Sequence, residues 1–260
     1  VDNNSIEAPT LEYLDAVSGR DNVSVLRDTR PFNFSALNNR AVASTESDFI
    51  CMLNNDVEVI ADSWLSEMVA NALRPEVGAV GARLLYSNDT LQHAGIILGV
   101  GGVAGHAFKR CHRDDLGYFN RIQIQHEVSA VTGACLLLGR DVFEEVGGMD
   151  EEHLAVAFND VDLCMKVTDA GYKIIYSPFA LLYHHESATR GHDDDSPEKF
   201  ARLQREAQVM NERWGDKLRT DPAYNPNFTI EHENFAIASE SRNPSVSEVH
   251  ARLKAGQQAG

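Results

Sequence analysis

Phe49-Ile50-Cys51-Met52-Leu53-Asn54-Asn55-Asp56 is a run of apolar residues closed by three polar ones. A short continuous apolar run suits a strand covered on both faces, as in a parallel sheet, and the polar residues then mark where the strand ends. On either side the chain alternates. Upstream, Thr10 begins a helix with Leu11, Leu14 and Val17 on one face and Gly19 as its stop, Asn22–Leu26 reads as a short strand, and Ser35–Ala43 as a helix. Downstream, Asp62 or Ser63 caps a helix with Trp64, Leu65, Met68, Val69, Ala72 and Leu73 as its apolar positions, and Val77–Tyr86 returns as a strand. Strand and helix in alternation predict an α/β fold with a doubly wound sheet flanked by helices. Ligands of such sheets lie beyond the carboxyl ends of the strands, the position that Asn54-Asn55-Asp56 takes.

The second half is less regular. Gln92–Tyr118 reads as a long excursion, Ser129–Leu138 as a strand, and Asp141–Val146 as a short helix ended by Gly147-Gly148. Asn159 or Asp160 opens a helix with Leu163, Val167 and Ala170 inward. Lys173–Tyr176 and Ala180–Tyr183 read as two strands. Ser196 caps a long helix with Pro197 at its first position, a buried face of Phe200, Leu203, Ala207, Met210 and Trp214, and Gly215 at its end. The expected organisation is one domain over residues 1–222 and a polar extension over 223–260. The chain opens on Val1, and Val1–Ser5 reads as the end of a strand entering a loop, so upstream residues are expected to be missing.

Composition narrows the class. With 23 Lys and Arg against 39 Asp and Glu, the formal charge is −16, which argues against a nucleic-acid binder. The longest weakly polar stretch, Ala94–Ala104, falls far short of the roughly 20 apolar residues that span a bilayer. No secretory signal pattern opens the chain. The four cysteines form no C-x-x-C pair and three lie in apolar runs, as core thiols in a reducing compartment would. A cytoplasmic protein, at most peripheral at the inner face of a membrane, is expected.

Three sites carry chemistry. Asn54-Asn55-Asp56 offers a carboxylate beside amide oxygens at a strand end, suited to Mg²⁺ or Mn²⁺, which share their shell with substrate phosphates; the same residues also make ordinary turns. Asp160, in Phe158-Asn159-Asp160-Val161-Asp162, is either a helix cap or a general base at the same rim. His184-His185-Glu186 follows an apolar strand, where an imidazole can complete a metal shell or simply pack. Gly99-Val100-Gly101-Gly102-Val103-Ala104 spells a dinucleotide fingerprint, but no helical period follows it and the reading is discarded.

In order and spacing these pieces resemble glycosyltransferase family 2, with the GT-A fold. The matching stretches are Val1–Ser5, Phe32–Asn39, Phe49–Glu58, Val131–Ala134, Val146–Asp150, Phe158–Cys164 and Tyr183–Ser187. They are similar to bacterial rhamnosyltransferases of cell-surface polysaccharide assembly. The resemblance implies a GT-A-type mixed sheet whose first strand is absent from this sequence. It implies that Asp2 contacts the nucleotide base and Asn39 lies near the donor. Asn54 and Asp56 stand at the D-x-D-type motif, and Gly133 lines the pocket between donor and acceptor. Asp56, with His184, would hold the divalent cation, and Asp160 would be the catalytic base. Two departures stand out: the motif carries one carboxylate, and Asn159 replaces the usual Glu.

The reaction so implied is inverting transfer from a nucleotide-diphosphate-sugar donor to a hydroxyl of a glycan or lipid-linked acceptor. A cation neutralises the departing diphosphate, and one carboxylate takes the acceptor proton. Two alternatives remain open: a non-catalytic carbohydrate- or nucleotide-sugar-binding domain, and a metal-dependent phosphoesterase using His192 with Asp193-Asp194-Asp195.

Overall fold

A computed structural model describes residues 1–185 and 196–240, with Arg242 and Ser247. Glu186 and the His192–Asp195 run lie outside the described residues. The helices are α1 (Ala8–Ser18), α2 (Phe34–Ala43), α3 (Trp64–Ala72), α4 (Arg140–Glu145), α5 (Asn159–Asp169) and α6 (Pro197–Arg219). The strands are β1 (Phe49–Leu53), β2 (Val57–Val59), β3 (Val77–Leu85), β4 (Leu91–His93), β5 (Ile96–Leu98), β6 (Ala104–His106), β7 (His126–Val128), β8 (Cys135–Gly139) and β9 (Lys173–His184).

The main sheet runs β1-β8-β3-β9-β2, with β4 added on β3 and β7 on β9. It is mixed: β3 and β9 pair parallel, and the other pairs are antiparallel. The expectation of a parallel strand covered on both faces fails for β1. It pairs antiparallel with β8, with Ile50 and Met52 buried and Leu53 46% exposed. β3 is the strand covered throughout, every residue from Val77 to Leu85 being buried. One core layer lies on each face. Met68 of α3 packs with Val80, Leu137 and Leu182, and Val161, Leu163 and Val167 of α5 pack on the other side with Leu136, Leu138 and Ile174.

Caps behave as their chemistry directs. The Asn33 side chain accepts from the Ala36 N–H at 2.9 Å to open α2, and Ser196 Oγ accepts from Lys199 to open α6. Gly147 and Gly148 close α4 with φ of +75° and +66°.

Several elements depart from the sequence reading. Asn22–Leu26 forms no strand; among the described residues the segment's pairing is a single parallel bridge between Asp2 and Arg27. The expected strand from Ser129 begins only at Cys135, after a turn at Gly133-Ala134. The two strands expected over 173–183 are one, interrupted by a bulge: Ala82 pairs with Ser177 but the next residue, Arg83, pairs with Leu181. The excursion after Gln92 contains β4 and the β5–β6 hairpin. In α6 the buried positions are Glu206, Met210, Trp214 and Leu218, four apart, so Phe200 falls outside that face and is 50% exposed. The helix continues past a kink at Gly215 to Arg219. Beyond it, Tyr224, Phe228 and Phe235 are buried in the main core, and Asp221 ties the segment to β5 through the Leu98 N–H at 2.7 Å.

Candidate active site

Asp56 sits in the turn between β1 and β2, and His184 ends β9, where the pairing of Val57 with His184 brings the two together. His184 Nε2 lies 3.1 Å from Asp56 Oδ1 and 3.2 Å from Asn54 Nδ2. The other ring nitrogen, Nδ1, is 2.7 Å from Gln92 Oε1, while Gln92 Nε2 points to the His184 carbonyl at 3.4 Å. With Gln92 held this way its oxygen accepts from Nδ1–H, and the other ring nitrogen, Nε2, faces Asp56. Asp56 Oδ1 is buried and, among the described residues, accepts no well-directed hydrogen bond. An imidazole nitrogen and a carboxylate oxygen at 3.1 Å need a positive charge between them, which a proton on Nε2 or a cation supplies. The pair, with the Gln92 amide orienting the imidazole, fits a hard cation that draws its remaining ligands from a substrate.

Asp160 occupies the first turn of α5. Its Oδ2 accepts from the Gly133 N–H at 2.9 Å and its Oδ1 from the Val161 N–H at 2.8 Å. The residue before this helix, Phe158, has a left-handed φ of +58° and no glycine to relieve it. Glu206 of α6 keeps it there. Its buried carboxylate accepts from the Ala157 and Val156 N–H groups at 2.7 and 3.2 Å. Burial raises the pKa of Glu206, and those N–H groups work against the rise. The same loop is held from the other side, the Ala155 carbonyl accepting from Phe34 N and the Leu154 carbonyl from Ser35 Oγ.

Five of the seven candidate site residues form one chain of contacts. Asp160 meets Gly133, the neighbouring Ala134 carbonyl accepts from Asn54 N at 3.0 Å, and Asn54 reaches His184, which meets Asp56. Asn39 is apart from it. Its amide clamps the backbone of Met149 in both directions, at 2.9 and 3.0 Å, and reaches Glu151. Gly148 fits beneath it because a Cβ there would come within 3.0 Å of Asn39 Oδ1.

Asp2 is also separate. It is buried, with Oδ1 accepting from Ser5 N at 3.0 Å and Oδ2 lying 3.2 Å from Arg27 Nε. The Ser5 hydroxyl and N–H, with Arg27, hold its carboxyl below the ordinary value. Beside it Asp28, absent from the sequence reading, gathers Arg30 at 2.5 Å and Arg40 at 3.0 Å, and Arg30 above all holds its pKa far below the ordinary 3.8. Gln92 and Glu206 were likewise invisible in the sequence, since neither belongs to a motif.

The architecture is that of the GT-A glycosyltransferases. The structure superposes on that of GalNAc-T7 with UDP, GalNAc and Mn²⁺ with a TM-score of 0.64 at 15% identity, covering 84% of this chain and 42% of that one. Residues 1–147 match the family model for glycosyl transferase family 2, and the chain belongs to that family. It is 52% identical over 240 residues to the uncharacterized protein y4gI of Sinorhizobium fredii, covering 92% of this chain and 26% of that protein. It is 38% identical over 232 residues to the O-antigen biosynthesis protein RfbC of Myxococcus xanthus, covering 88% of this chain and 18% of that protein. A shorter match, 36% identical over 72 residues, covers 28% of this chain and 23% of the N-acetylglucosaminyl-diphospho-decaprenol L-rhamnosyltransferase of Mycobacterium tuberculosis. The chain thus spans about a quarter or less of these relatives. Among the described residues, no helix is long and apolar enough to cross a membrane.

Proposed function

We propose that this chain is the donor-binding and catalytic domain of an inverting glycosyltransferase that moves a sugar from a nucleotide-diphosphate donor to a hydroxyl of a glycan or lipid-linked acceptor. The observation that carries the reading is the Asp56–His184 pair, 3.1 Å apart at the strand ends, joined through Asn54 and the Gly133-Ala134 turn to Asp160. Asp56 and His184 would hold Mg²⁺ or Mn²⁺. The cation would neutralise charge on the leaving diphosphate. GalNAc-T7, a neighbour in fold, was crystallised with Mn²⁺ and UDP, which supports the choice of metal.

The remaining steps belong to the chain's own residues. The Gly133 and Val161 N–H groups fix the Asp160 carboxylate while leaving lone pairs on each oxygen for the acceptor hydroxyl proton. Proton removal by a positioned carboxylate contributes about 10²–10⁴ in rate. One base suffices for a single displacement, which inverts the anomeric centre, whereas glycoside hydrolysis uses two carboxylates. Asp2, buried against Ser5 and Arg27, is assigned to the nucleotide base, and Asn39 shapes the donor side by holding the Met149 loop. The name of the Myxococcus relative supports a surface-polysaccharide acceptor.

The test is turnover by the full-length protein of UDP-, GDP- and dTDP-sugars with Mn²⁺, read as nucleoside diphosphate released. Asp160→Asn is expected to lower turnover by about 10² or more while nucleotide binding measured by calorimetry persists. Normal turnover by Asp160→Asn would remove Asp160 as the base.

A further inference from the structure

We propose that Gln92 and His93 on β4 act as a two-headed clamp that sets the cation corner and the base corner in register, with His93 a positioning residue for Asp160. The inference rests on the functional reading above and deepens it.

Successive side chains of a strand leave on opposite faces, so neighbours on β4 reach in opposite directions. Gln92 takes the His184 ring, Oε1 to Nδ1 at 2.7 Å. His93, wholly buried, accepts from the Thr132 N–H through Nε2 at 3.4 Å. Thr132 opens the turn whose next N–H holds Asp160 and whose Ala134 carbonyl holds Asn54. The dipeptide therefore touches both halves of the site through one backbone. His106 on β6 lies against the Gln92 backbone and the His93 ring. Its Nδ1 lies 2.9 Å from the Gln92 carbonyl and 3.4 Å from His93 Nδ1, with the two rings edge to face at 4.9 Å.

Space alone does not account for an imidazole here. A leucine or phenylalanine fills an apolar gap without desolvating two polar nitrogens. Burial, followed by the neighbouring His106 and His184, pushes the His93 pKa well below its ordinary value and keeps the ring neutral. A neutral ring supplies one acceptor in a fixed direction, as the Thr132 N–H requires. A displacement of about 1 Å at the base is enough to cost about 10²-fold in rate, so a loop anchor that sets Asp160 against the cation matters to turnover.

The test compares variants of the full-length protein in the Mn²⁺-dependent turnover of UDP-, GDP- and dTDP-sugars, with Mn²⁺ affinity titrated by electron paramagnetic resonance. His93→Phe is expected to lower kcat by about 10-fold or more, with donor KM and Mn²⁺ affinity within about two-fold of wild type. His93→Gln, whose Oε1 accepts where Nε2 did, recovers most of kcat. Gln92→Met shows the other split, loosening Mn²⁺ by about 10-fold. Should His93→Phe fail to fold, His93→Met carries the same comparison. Wild-type kcat in His93→Phe or His93→Met overturns the proposal. So does a joint loss of kcat, Mn²⁺ affinity and melting temperature that His93→Gln does not relieve, because that is what packing alone would give. A wild type that turns over none of these donors overturns the functional reading and the clamp with it; an active wild type matched by its variants overturns the clamp alone.

Discussion

The seam between α5 and α6 and the corner around Asp56 both hold carboxylates out of water, and they treat them in opposite ways. In the seam, Asp162 is fully buried and Oδ1 accepts from Arg213 and Trp214 at 2.8 and 2.9 Å, with the Lys166 ammonium 3.4 Å from Oδ2. Asp150 meets Arg213 at 2.5 Å and its own neighbour His153. Burial opposes ionisation there, but Arg213 and the His153 contacts outweigh it and bring the pKa down to about 2. The protein answers these charges itself. At the corner, Asp56 faces the His184 imidazole and, among the described residues, no guanidinium or ammonium. Answered carboxylates fix a structure, and an unanswered one at a sheet rim leaves a position for a ligand's charge.

This contrast breaks if substitutions in the two regions behave alike. Asp162→Ala strands the Arg213 guanidinium and the Trp214 N–H, and is expected to cost about 3–5 kcal/mol in denaturant unfolding. Asp56→Ala is expected to leave the unfolding midpoint almost unchanged without metal. With Mn²⁺ at 100 times its dissociation constant, the wild type should gain about 2.7 kcal/mol and Asp56→Ala should gain far less. Equal stabilisation of both proteins by Mn²⁺ would place the cation elsewhere. Between these lies Glu206→Gln, whose amide keeps one accepting oxygen but turns an N–H toward one of the two donors, Val156 N–H or Ala157 N–H. It is expected to cost about 1–3 kcal/mol and to reduce turnover by moving the Phe158–Asp160 backbone.

The smallest effect is in the pH profile of stability, where two carboxylates pull opposite ways. Asp28 has its folded pKa lowered, by Arg30 first, so its contribution is present above the ordinary 3.8 and lost as pH falls below it. Asp28→Asn should flatten the acid limb of the melting curve. Glu206 has its folded pKa raised by burial, so its neutral form is the better tolerated one and stability drawn from it declines as pH climbs from the ordinary 4.5. Glu206→Gln should remove that decline, as thermal melts between pH 4 and 7 would show.

The sequence by itself determined the elements whose signal is local. The apolar run of β1, the Asn33 and Ser196 caps and the Gly147-Gly148 stop are set by neighbours a few residues away, and periodicity and cap chemistry find them. The order of motifs marked Asp56, Asp160 and His184, because strand ends in an open α/β sheet converge on one rim. Tertiary structure alone decided the rest. Whether β1 runs parallel or antiparallel, whether the strand over 173–184 is one or two, and which face of α6 is inward depend on partners far along the chain, here β8, β3 and α5. The same holds for Gln92, His93 and Glu206. Nothing in their sequence neighbourhood distinguishes them from surface polar residues. Their roles come from burial beside backbone N–H groups and an imidazole between 39 and 92 positions away, contacts that exist only once the sheet has closed over them.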